Sequence, residues 1–163
     1  MQSNPRIRRA VLADAAEIAS VLRESFIEFE SLYTPKGFAA TTPDPAQVSQ
    51  RMQEGPAWIA LTDDRVAGTA SAVLRGKKGL YVRGVAVLPS LRGQGIAESL
   101  MNEVESFARQ NGSGRMFLTT TPFLAAAIRL YERLGFMRVP NGTADLFGTP
   151  LIKMEKVWLL NQD

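Results

Sequence analysis

The sequence predicts a mixed α/β domain in which helices pack on one sheet. Segments with the periodicity of strands and of helices alternate along the 163 residues, in the order β-α-α-β-β-β-α-β-α-β-β. The unit over residues 80–120 is long enough for a parallel crossover, so a mixed sheet is expected. A chain of this length corresponds to one domain, which would span residues 1–163.

The first half of the chain is predicted to begin with a strand and a helix. Residues 6–11 form the strand, and Asp14 is expected to cap a helix that reaches about Phe29 and gathers its apolar side chains on one face. Residues 31–45 carry several Pro and Gly residues and are expected to form a surface loop, with a lid as one interpretation. A helix and two strands follow, over residues 45–54, 57–61 and 66–74, with a hairpin turn at Asp63-Asp64.

The second half is predicted to continue the alternation and to supply the parallel crossover. Residues 80–88 form a strand that Pro89 stops, and apolar residues from Ile96 onward mark one face of a helix that ends near Asn111-Gly112. The remaining elements are a strand, a helix and two strands, over residues 115–120, 123–134, 136–139 and 151–157.

Two residue types are absent, and their absence excludes whole classes of chemistry. Without cysteine the chain has no disulfide, no thiolate metal site and no Cys nucleophile. Without histidine it has no Ser-His-Asp triad and no His-rich zinc site. Acid–base chemistry must therefore use Tyr, Asp, Glu, Lys, water or the backbone, and no metal is expected.

Charge and hydropathy argue against nucleic-acid and membrane partners. The 19 basic and 16 acidic residues give a net charge of only +3, and the basic residues are dispersed, so nucleic-acid binding is not expected. No run approaches 18 apolar residues and the first residues carry no apolar signal segment, so we expect no membrane partner and a cytoplasmic location. The oligomeric state stays open, with a homodimer among the expectations.

The segment that indicates chemistry is a Gly-rich turn between the strand at 80–88 and the helix that follows it. Gly93 and Gly95 allow the backbone to bend tightly and to approach a ligand without a Cβ in the way. The first N–H groups of the helix, from about Gln94 to Ala97, lack partners within the helix and lie at its positive dipole end. The turn therefore predicts an anion site, with a purely structural turn as an equal alternative.

The spacing within this turn excludes two common phosphate motifs. A nucleotide P-loop needs Gly-Lys-Ser/Thr where this chain reads Gly95-Ile96-Ala97. A dinucleotide fingerprint needs a third Gly where Glu98 stands and an acidic residue where Arg115 stands. What remains is the pattern R-x-x-G-x-A, over residues 92–97, directly after a strand.

A second motif favours the functional interpretation of the turn. Residues 127–136 read Ala-Ile-Arg-Leu-Tyr-Glu-Arg-Leu-Gly-Phe, at the end of a predicted helix that leads into a strand. Together with residues 92–97, this segment resembles the GNAT superfamily of acyl-CoA-dependent N-acyltransferases, with its signatures Q/R-x-x-G-x-G/A and A-I-x-L-Y-E-x-x-G-F. The start at Ile7, Gly68 and the closing residues 154–156 fit as well, so the resemblance covers essentially the whole chain.

The resemblance implies a fold, a co-substrate and a set of site residues. The implied fold is a mixed, mostly antiparallel sheet that splays between its fourth and fifth strands and carries helices on both faces, and the implied co-substrate is acetyl-CoA. The backbone of one group of residues would hold the coenzyme A pyrophosphate: Arg92, Gly93, Gln94, Gly95, Ile96 and Ala97. The backbone of Val85, Ala86 and Val87 would lie along the pantetheine, with the Val85 amide as oxyanion donor. Tyr131 would protonate the departing thiolate.

The resemblance thus implies transfer of an acetyl group to a primary amine of a small molecule or peptide, by direct attack in a ternary complex. The alternative is a catalytically silent CoA-binding regulatory module on the same fold. For Tyr131, periodicity alone favours a core aromatic, because the residue borders the apolar face of its helix.

The chain also departs from the family pattern. Leu124 stands where many members have Asn, a role that the hydroxyls of residues 119–121 could take over. The fourth strand offers only Arg83 where some members have a carboxylate, so the general base is unassigned. Three aromatic residues could line an acceptor pocket, with ordinary packing as an equal alternative: Tyr33, Phe38 and Trp58.

Overall fold

Seven strands form one sheet in the computed structural model, which describes residues 5–160. In chain order the strands are β1 (Arg6–Arg9), β2 (Ala57–Thr62), β3 (Arg65–Leu74), β4 (Leu80–Val87), β5 (Arg115–Thr120), β6 (Met137–Leu146) and β7 (Thr149–Val157). Their order across the sheet is β1-β2-β3-β4-β5-β7-β6, and every pair is antiparallel except β4–β5. Residues 1–4, on which the expectation of no secretory signal partly rests, lie outside the described range.

Five helices of the described range cover both faces of this sheet. They are α1 (Ala15–Phe26), α2 (Pro35–Thr41), α3 (Pro45–Glu54), α4 (Ile96–Gln110) and α5 (Ala125–Arg133). The apolar sides of α1 and α3 bury one core, around Ile18, Leu22 and Val48. The apolar sides of α4 and α5 bury the other, around Leu100 and Val104. The predicted mixed sheet with helices on both faces is confirmed, and over residues 5–160 no helix has the length and apolar character that crossing a membrane requires.

The two parallel strands separate soon after they begin to pair. Leu80 pairs with Met116 and Tyr81 with Phe117, and there the register of β4 with β5 ends. Both strands run on beyond this point, β4 to Val87 and β5 to Thr120. The expected splay between the fourth and fifth strands is therefore present, and it opens a gap in the middle of the sheet.

A β-bulge at Gly84 changes the direction of the side chains along β4. Ser71 of β3 pairs with Arg83 and Thr69 pairs with Ala86, so both Gly84 and Val85 stand opposite the single residue Ala70. Gly84 has a φ of +64°, which a residue with a side chain rarely adopts. The bulge was not predicted from the sequence, although a glycine inside a strand is a known signal for one.

The segment expected to be a surface loop is instead largely helical. A 3-10 helix over Ile27–Leu32 continues from α1, and α2 then begins at Pro35. The Thr34 side chain accepts a hydrogen bond from the Gly37 amide, and Pro35 occupies the first turn, where its missing N–H costs nothing. The prediction of an irregular loop was wrong because it weighted the Pro and Gly content over this helix-start signal.

Asp14 lies at the start of α1 but does not cap that helix with its side chain. Its carboxylate accepts two hydrogen bonds from the Arg8 guanidinium, at 2.9 and 3.0 Å, and one from the Val11 amide at 2.7 Å. The hydrogen bond from Arg8 is the main reason why the pKa of this buried carboxyl is lowered. Asp14 thus ties the end of β1 to the turn that precedes α1.

We expect Asp14→Asn to lower the free energy of unfolding by about 1–3 kcal/mol near pH 7, because a charge-assisted bidentate pair is lost. A carboxyl with a lowered native pKa stabilises the fold above its unfolded pKa, about 3.9, and this contribution is lost as the pH falls through the native pKa. Urea unfolding at several pH values measures both effects. The difference between wild type and variant should be constant from pH 7 to 5 and shrink below about pH 4, and a pH-independent difference would contradict the assignment.

Candidate functional site

A cleft of about 730 Å³ opens where β4 and β5 separate. One wall is the end of β4 with the following turn and the first residues of α4, and the other is α5 with the segment before it. The last residue of α1, Phe26, and Phe29 of the following 3-10 helix close the cleft. The cleft therefore brings together the two segments, 92–97 and 127–136, that the sequence motifs single out.

Eight of the nine residues predicted to bind the co-substrate line this cleft: Val85, Ala86, Val87, Arg92, Gly93, Gly95, Ile96 and Ala97. Gln94 belongs to the same turn but is not among the lining residues. Tyr131 and Leu124 line the cleft as well. The sequence pattern thus identifies one contiguous surface, formed by elements up to 50 residues apart.

The turn before α4 is built for close approach to its backbone. Gly93 and Gly95 both have a φ of +80°, and a Cβ added at either glycine would meet no atom within 4 Å. Gly95 is the N-cap of α4 and no side-chain hydrogen bond caps the helix. The first amides of α4 are therefore free to donate to a ligand, at the positive end of a helix of 15 residues.

The Arg92 side chain contacts the protein rather than the open space above the turn. Its Nη1 donates to Glu28 Oε1 at 2.5 Å, and its Nη2 donates to the carbonyl of Ser25 at 2.8 Å. The Ser25 hydroxyl in turn donates to the carbonyl of Val87 at 3.0 Å. These bonds join the turn, the C-terminal end of α1 and the end of β4. They were not predicted from the sequence, because they link residues 62 to 67 positions apart.

The backbone at the end of β4 faces the gap. The Leu88 amide donates to Ala67 of β3 at 2.8 Å, so Leu88 points its backbone groups toward β3. Because backbone groups alternate along a strand, those of Val87 and Val85 point the other way, toward β5. The pairing with β5 has already ended at Tyr81, so this side of the strand lacks a partner strand. An extended ligand can pair there.

Tyr131 combines the two interpretations left open by its sequence position. Its ring packs against Phe136 at a centroid distance of 5.7 Å and belongs to the core beneath α4 and α5, yet the residue also lines the cleft. Burial raises the pKa of its hydroxyl above the usual value of 10. Tyr131 consequently stays protonated across the physiological range and can act as a proton donor in the cleft.

The other predicted site residues have mixed outcomes. None of the three threonines at 119–121 lines the cleft, so the structure does not support the idea that they replace the usual Asn at Leu124. Trp58 packs against Phe107 and under Arg9, so it belongs to the core. Tyr33 and Phe38 are buried and form an aromatic cluster with Phe123, which lines the cleft.

Carboxylates are scarce in the cleft. Glu98 lines it, at the exposed first turn of α4, and Glu28 is bonded to Arg92 nearby. Both lie at the Gly-rich turn rather than beside Tyr131. Over the described residues no group of three or more acidic side chains could hold a metal ion. The general base therefore stays unassigned.

Comparisons with known proteins agree with this geometry. Residues 19–136 match the model of the acetyltransferase (GNAT) family. The uncharacterized N-acetyltransferase YjgM of Escherichia coli (strain K12) is 34% identical over 141 residues, which cover 83% of this chain and 84% of that protein. Other curated N-acetyltransferases match over about half of this chain, which spans about two fifths of their length.

Solved structures share the fold at low sequence identity. A GCN5-related N-acetyltransferase from Rhodopseudomonas palustris superposes with a TM-score of 0.78 at 20% identity, covering 97% of this chain and 98% of that one. The putative acetyltransferase yncA from Salmonella typhimurium, solved with its cofactor acetyl-CoA, gives a TM-score of 0.75 at 22% identity, covering 99% and 96%. At these identities the likeness concerns the fold alone.

Proposed function

The chain belongs to the GNAT family of acetyltransferases, and from this premise we propose that it transfers an acetyl group from acetyl-CoA to a primary amine of a small molecule or peptide. The observation that carries the proposal is the cleft at the gap between β4 and β5, which joins a free helix N-terminus, an unpaired strand edge and a protonated tyrosine. Each of these three parts matches one part of an acyl thioester reaction.

The residues of the Gly-rich turn suit the phosphates of coenzyme A. The open space above Gly93 and Gly95 lets an anion approach the amides from Arg92 to Ala97, and the dipole of α4 favours its charge. The Arg92 guanidinium is engaged by Glu28 and Ser25, so in this proposal Arg92 contributes its backbone and shapes the turn. Val85, Ala86 and Val87 would hold the pantetheine amides as an added strand.

Acetyl-CoA supplies an activated acyl group as a thioester, and the chain's residues would assist its transfer. The amine would attack the carbonyl carbon directly, and a thiol-linked acyl intermediate is excluded because the chain has no cysteine. The Val85 amide, on the gap side of β4, would donate to the developing oxyanion. As the C–S bond breaks, the Tyr131 hydroxyl would give its proton to the thiolate, a leaving group that needs only modest help. The nitrogen loses a proton as the amide forms, and transfer of a proton back to Tyr131 through solvent would restore the tyrosine.

The attacking amine must be neutral, and no strong base is required for this. The pKa of an alkyl amine, about 10.4, lies about 3.4 units above pH 7, so removing its proton at that pH costs about 4.6 kcal/mol. Water in the gap can carry the proton to bulk solvent. This fits a cleft whose carboxylates lie near the Gly-rich turn.

The proposal predicts that the protein consumes acetyl-CoA when a suitable amine is present. Thiol release should be followed with polyamines, amino acids, aminoglycosides and peptide N-termini, and mass spectrometry should find one added acetyl group on the amine. A reaction without amine measures background hydrolysis. If coenzyme A binds but no amine class is acetylated above that background, the chain is the CoA-binding regulatory module and the proposed activity is wrong.

A further inference from the structure

The sheet face that bears α1 and α3 carries a cationic surface near the gap. Successive side chains of a strand point to opposite faces of the sheet. Tyr81 and Phe117 alternate with residues of the core under α4, so they point to the face of α1 and α3, where their rings lie 5.3 Å apart. Arg75 lies over the ring of Tyr81, while Arg115 and Lys153 lie over the ring of Phe117. Together with two further arginines, Arg51 and Arg83, this surface holds five cations, of which Arg75 is exposed and the other four are half-buried.

The chain segments that carry these five cations supply only two carboxylates to the surface. Glu155 accepts a hydrogen bond from Arg115 at 2.6 Å, and Glu54 accepts one from Arg83 at 2.5 Å. Arg75, Lys153 and Arg51 have no carboxylate partner in the part of the chain that the structure describes. The surface therefore has an excess of positive charge that a bound anion would neutralise.

Arg51 and Arg83 lie close enough for their charges to interact, and of the two only Arg83 is paired with a carboxylate, that of Glu54. Arg51 donates from Nη2 to the carbonyl of Ala40 at 2.7 Å, which leaves its other nitrogens for a ligand. Nε of Arg83 is buried and has no hydrogen-bond partner among the described residues. Burial, and next the charge of Arg83, lower the pKa of Arg51, although an arginine stays charged at any working pH. Two partly buried guanidiniums, of which only one is paired with a carboxylate, leave N–H donors for a further carboxylate.

This arginine pair lies beside the proposed reaction centre. Arg83 is the first residue of β4 on this face after the last pair with β5, so it stands at the mouth of the gap. Val85 follows two residues later, across the bulge at Gly84. The Gly-rich turn, α4 and α5 line the cleft, whereas Arg51 and Arg83 do not, so an acceptor held by these two arginines would approach the gap from the other face while acetyl-CoA occupies the cleft.

We propose that the acceptor is a small amine that also carries a carboxylate, such as an amino acid, and that Arg51 and Arg83 bind this carboxylate. The inference rests on the proposed function and specifies its acceptor class. The two guanidiniums would hold the carboxylate on the outer face of the gap and direct the amine toward the Val85 amide. They are specificity residues, since they touch the acceptor but not the reacting bond.

The first test compares acceptors that differ only in this carboxylate. Amino acids of increasing chain length, from glycine to γ-aminobutyrate, should be compared with their carboxamides. The amine of a carboxamide is no more basic than that of the acid, so at least as large a fraction of it is neutral at pH 7.5, and amine basicity alone gives the acid no advantage. We expect at least a tenfold higher kcat/KM for the acid of the best pair. Equal or higher values for every amide would overturn the inference.

Variants then test whether the two arginines cause the preference. Arg51→Gln and Arg83→Gln should each raise KM for the best amino acid about tenfold or more, and should leave the carboxamide and the affinity for coenzyme A unchanged. Arg83→Lys keeps the charge but loses the planar fork, so an intermediate loss is expected. Arg65→Gln, an exposed arginine at the start of β3, is the matched control. If a Gln variant melts far below wild type, the corresponding Lys variant decides the question.

The outcomes separate this inference from the proposed function. Acetylation of amines without regard to a carboxylate would overturn the inference and leave the activity in place. Two peptides, one with an acidic second residue and one with the corresponding amide residue, are tested as acceptors in parallel, to distinguish a free amino acid from a peptide acceptor. If only the acidic peptide is turned over efficiently, the assignment to a small molecule is overturned. If no amine is acetylated, calorimetry with γ-aminobutyrate and its amide decides the inference, and equal affinities would overturn it.

Discussion

Tyr131→Phe should lower kcat with an alkyl amine acceptor by about a hundredfold, the low end for loss of a general acid, because a thiolate needs limited protonation to leave. The substitution removes the hydroxyl and keeps the ring against Phe136, so stability and coenzyme A affinity should be almost unchanged. Steady-state kinetics with chemistry shown to be rate-limiting provide the measurement. A kcat within twofold of wild type would leave Tyr131 as a core aromatic only.

Two further readouts separate catalysis from packing at this position. Because burial raises the pKa of Tyr131, its hydroxyl stays protonated through pH 10, and wild-type kcat should show no loss from tyrosine ionisation below that pH. Tyr33→Phe removes the hydroxyl of another buried tyrosine, which does not line the cleft, and reports the stability cost of such a change. A falling limb of kcat near pH 8 would contradict the assignment of Tyr131 as the proton donor.

Gly95→Val should weaken coenzyme A binding at least tenfold, which corresponds to about 1.4 kcal/mol. The Cβ would meet no protein atom within 4 Å, so the side chain would fill the open space that the pyrophosphate is proposed to occupy. A φ of +80° is also strained for a β-branched residue, and the turn would shift to relieve that strain. Titration calorimetry with coenzyme A measures the effect.

Gly112→Val provides the matched control at the other end of α4. Gly112 has a φ of +73° and equally open space around a Cβ, but it lies past the C-terminal end of the helix and does not line the cleft. Both variants should lose similar stability, of the order of 1–2 kcal/mol. Only the Gly95 variant should lose affinity for coenzyme A. Equal affinities of the two variants would place the phosphate site elsewhere.

Much of the fold and one wall of the cleft could be predicted because the signals are local. Two glycines before a helix require a tight turn with free amides, and Gly93 and Gly95 have that conformation. The divergence of β4 and β5 is not a local property of the sequence. Its prediction rested on the family resemblance instead. Helix α2 was missed although Thr34-Pro35 is a helix start, since a helix of seven residues presents too few turns for a clear periodicity.

The contacts that shape the site could not be predicted from sequence patterns. The bonds from Arg92 to Glu28 and Ser25 depend on how α1 packs over β4, which no spacing along the chain encodes. The cationic surface likewise combines residues of α3, β4, β5 and β7, each unremarkable within its own segment. Basic residues that are dispersed along the sequence are therefore close together in the folded structure, where they concentrate positive charge.

The divergence of β4 and β5 also gives this sheet interior edges. Its outer edges, β1 and β6, are poor templates for another strand: β1 has four residues, three of them arginines, and β6 contains Pro140 and an irregular register. The interior edge of β4 needs no such protection, because the Gly-rich turn, α4 and α5 flank it and admit a thin extended molecule but no second sheet. The protein can thus keep strand backbone unpaired and ready for a ligand without the aggregation hazard that an exposed edge carries.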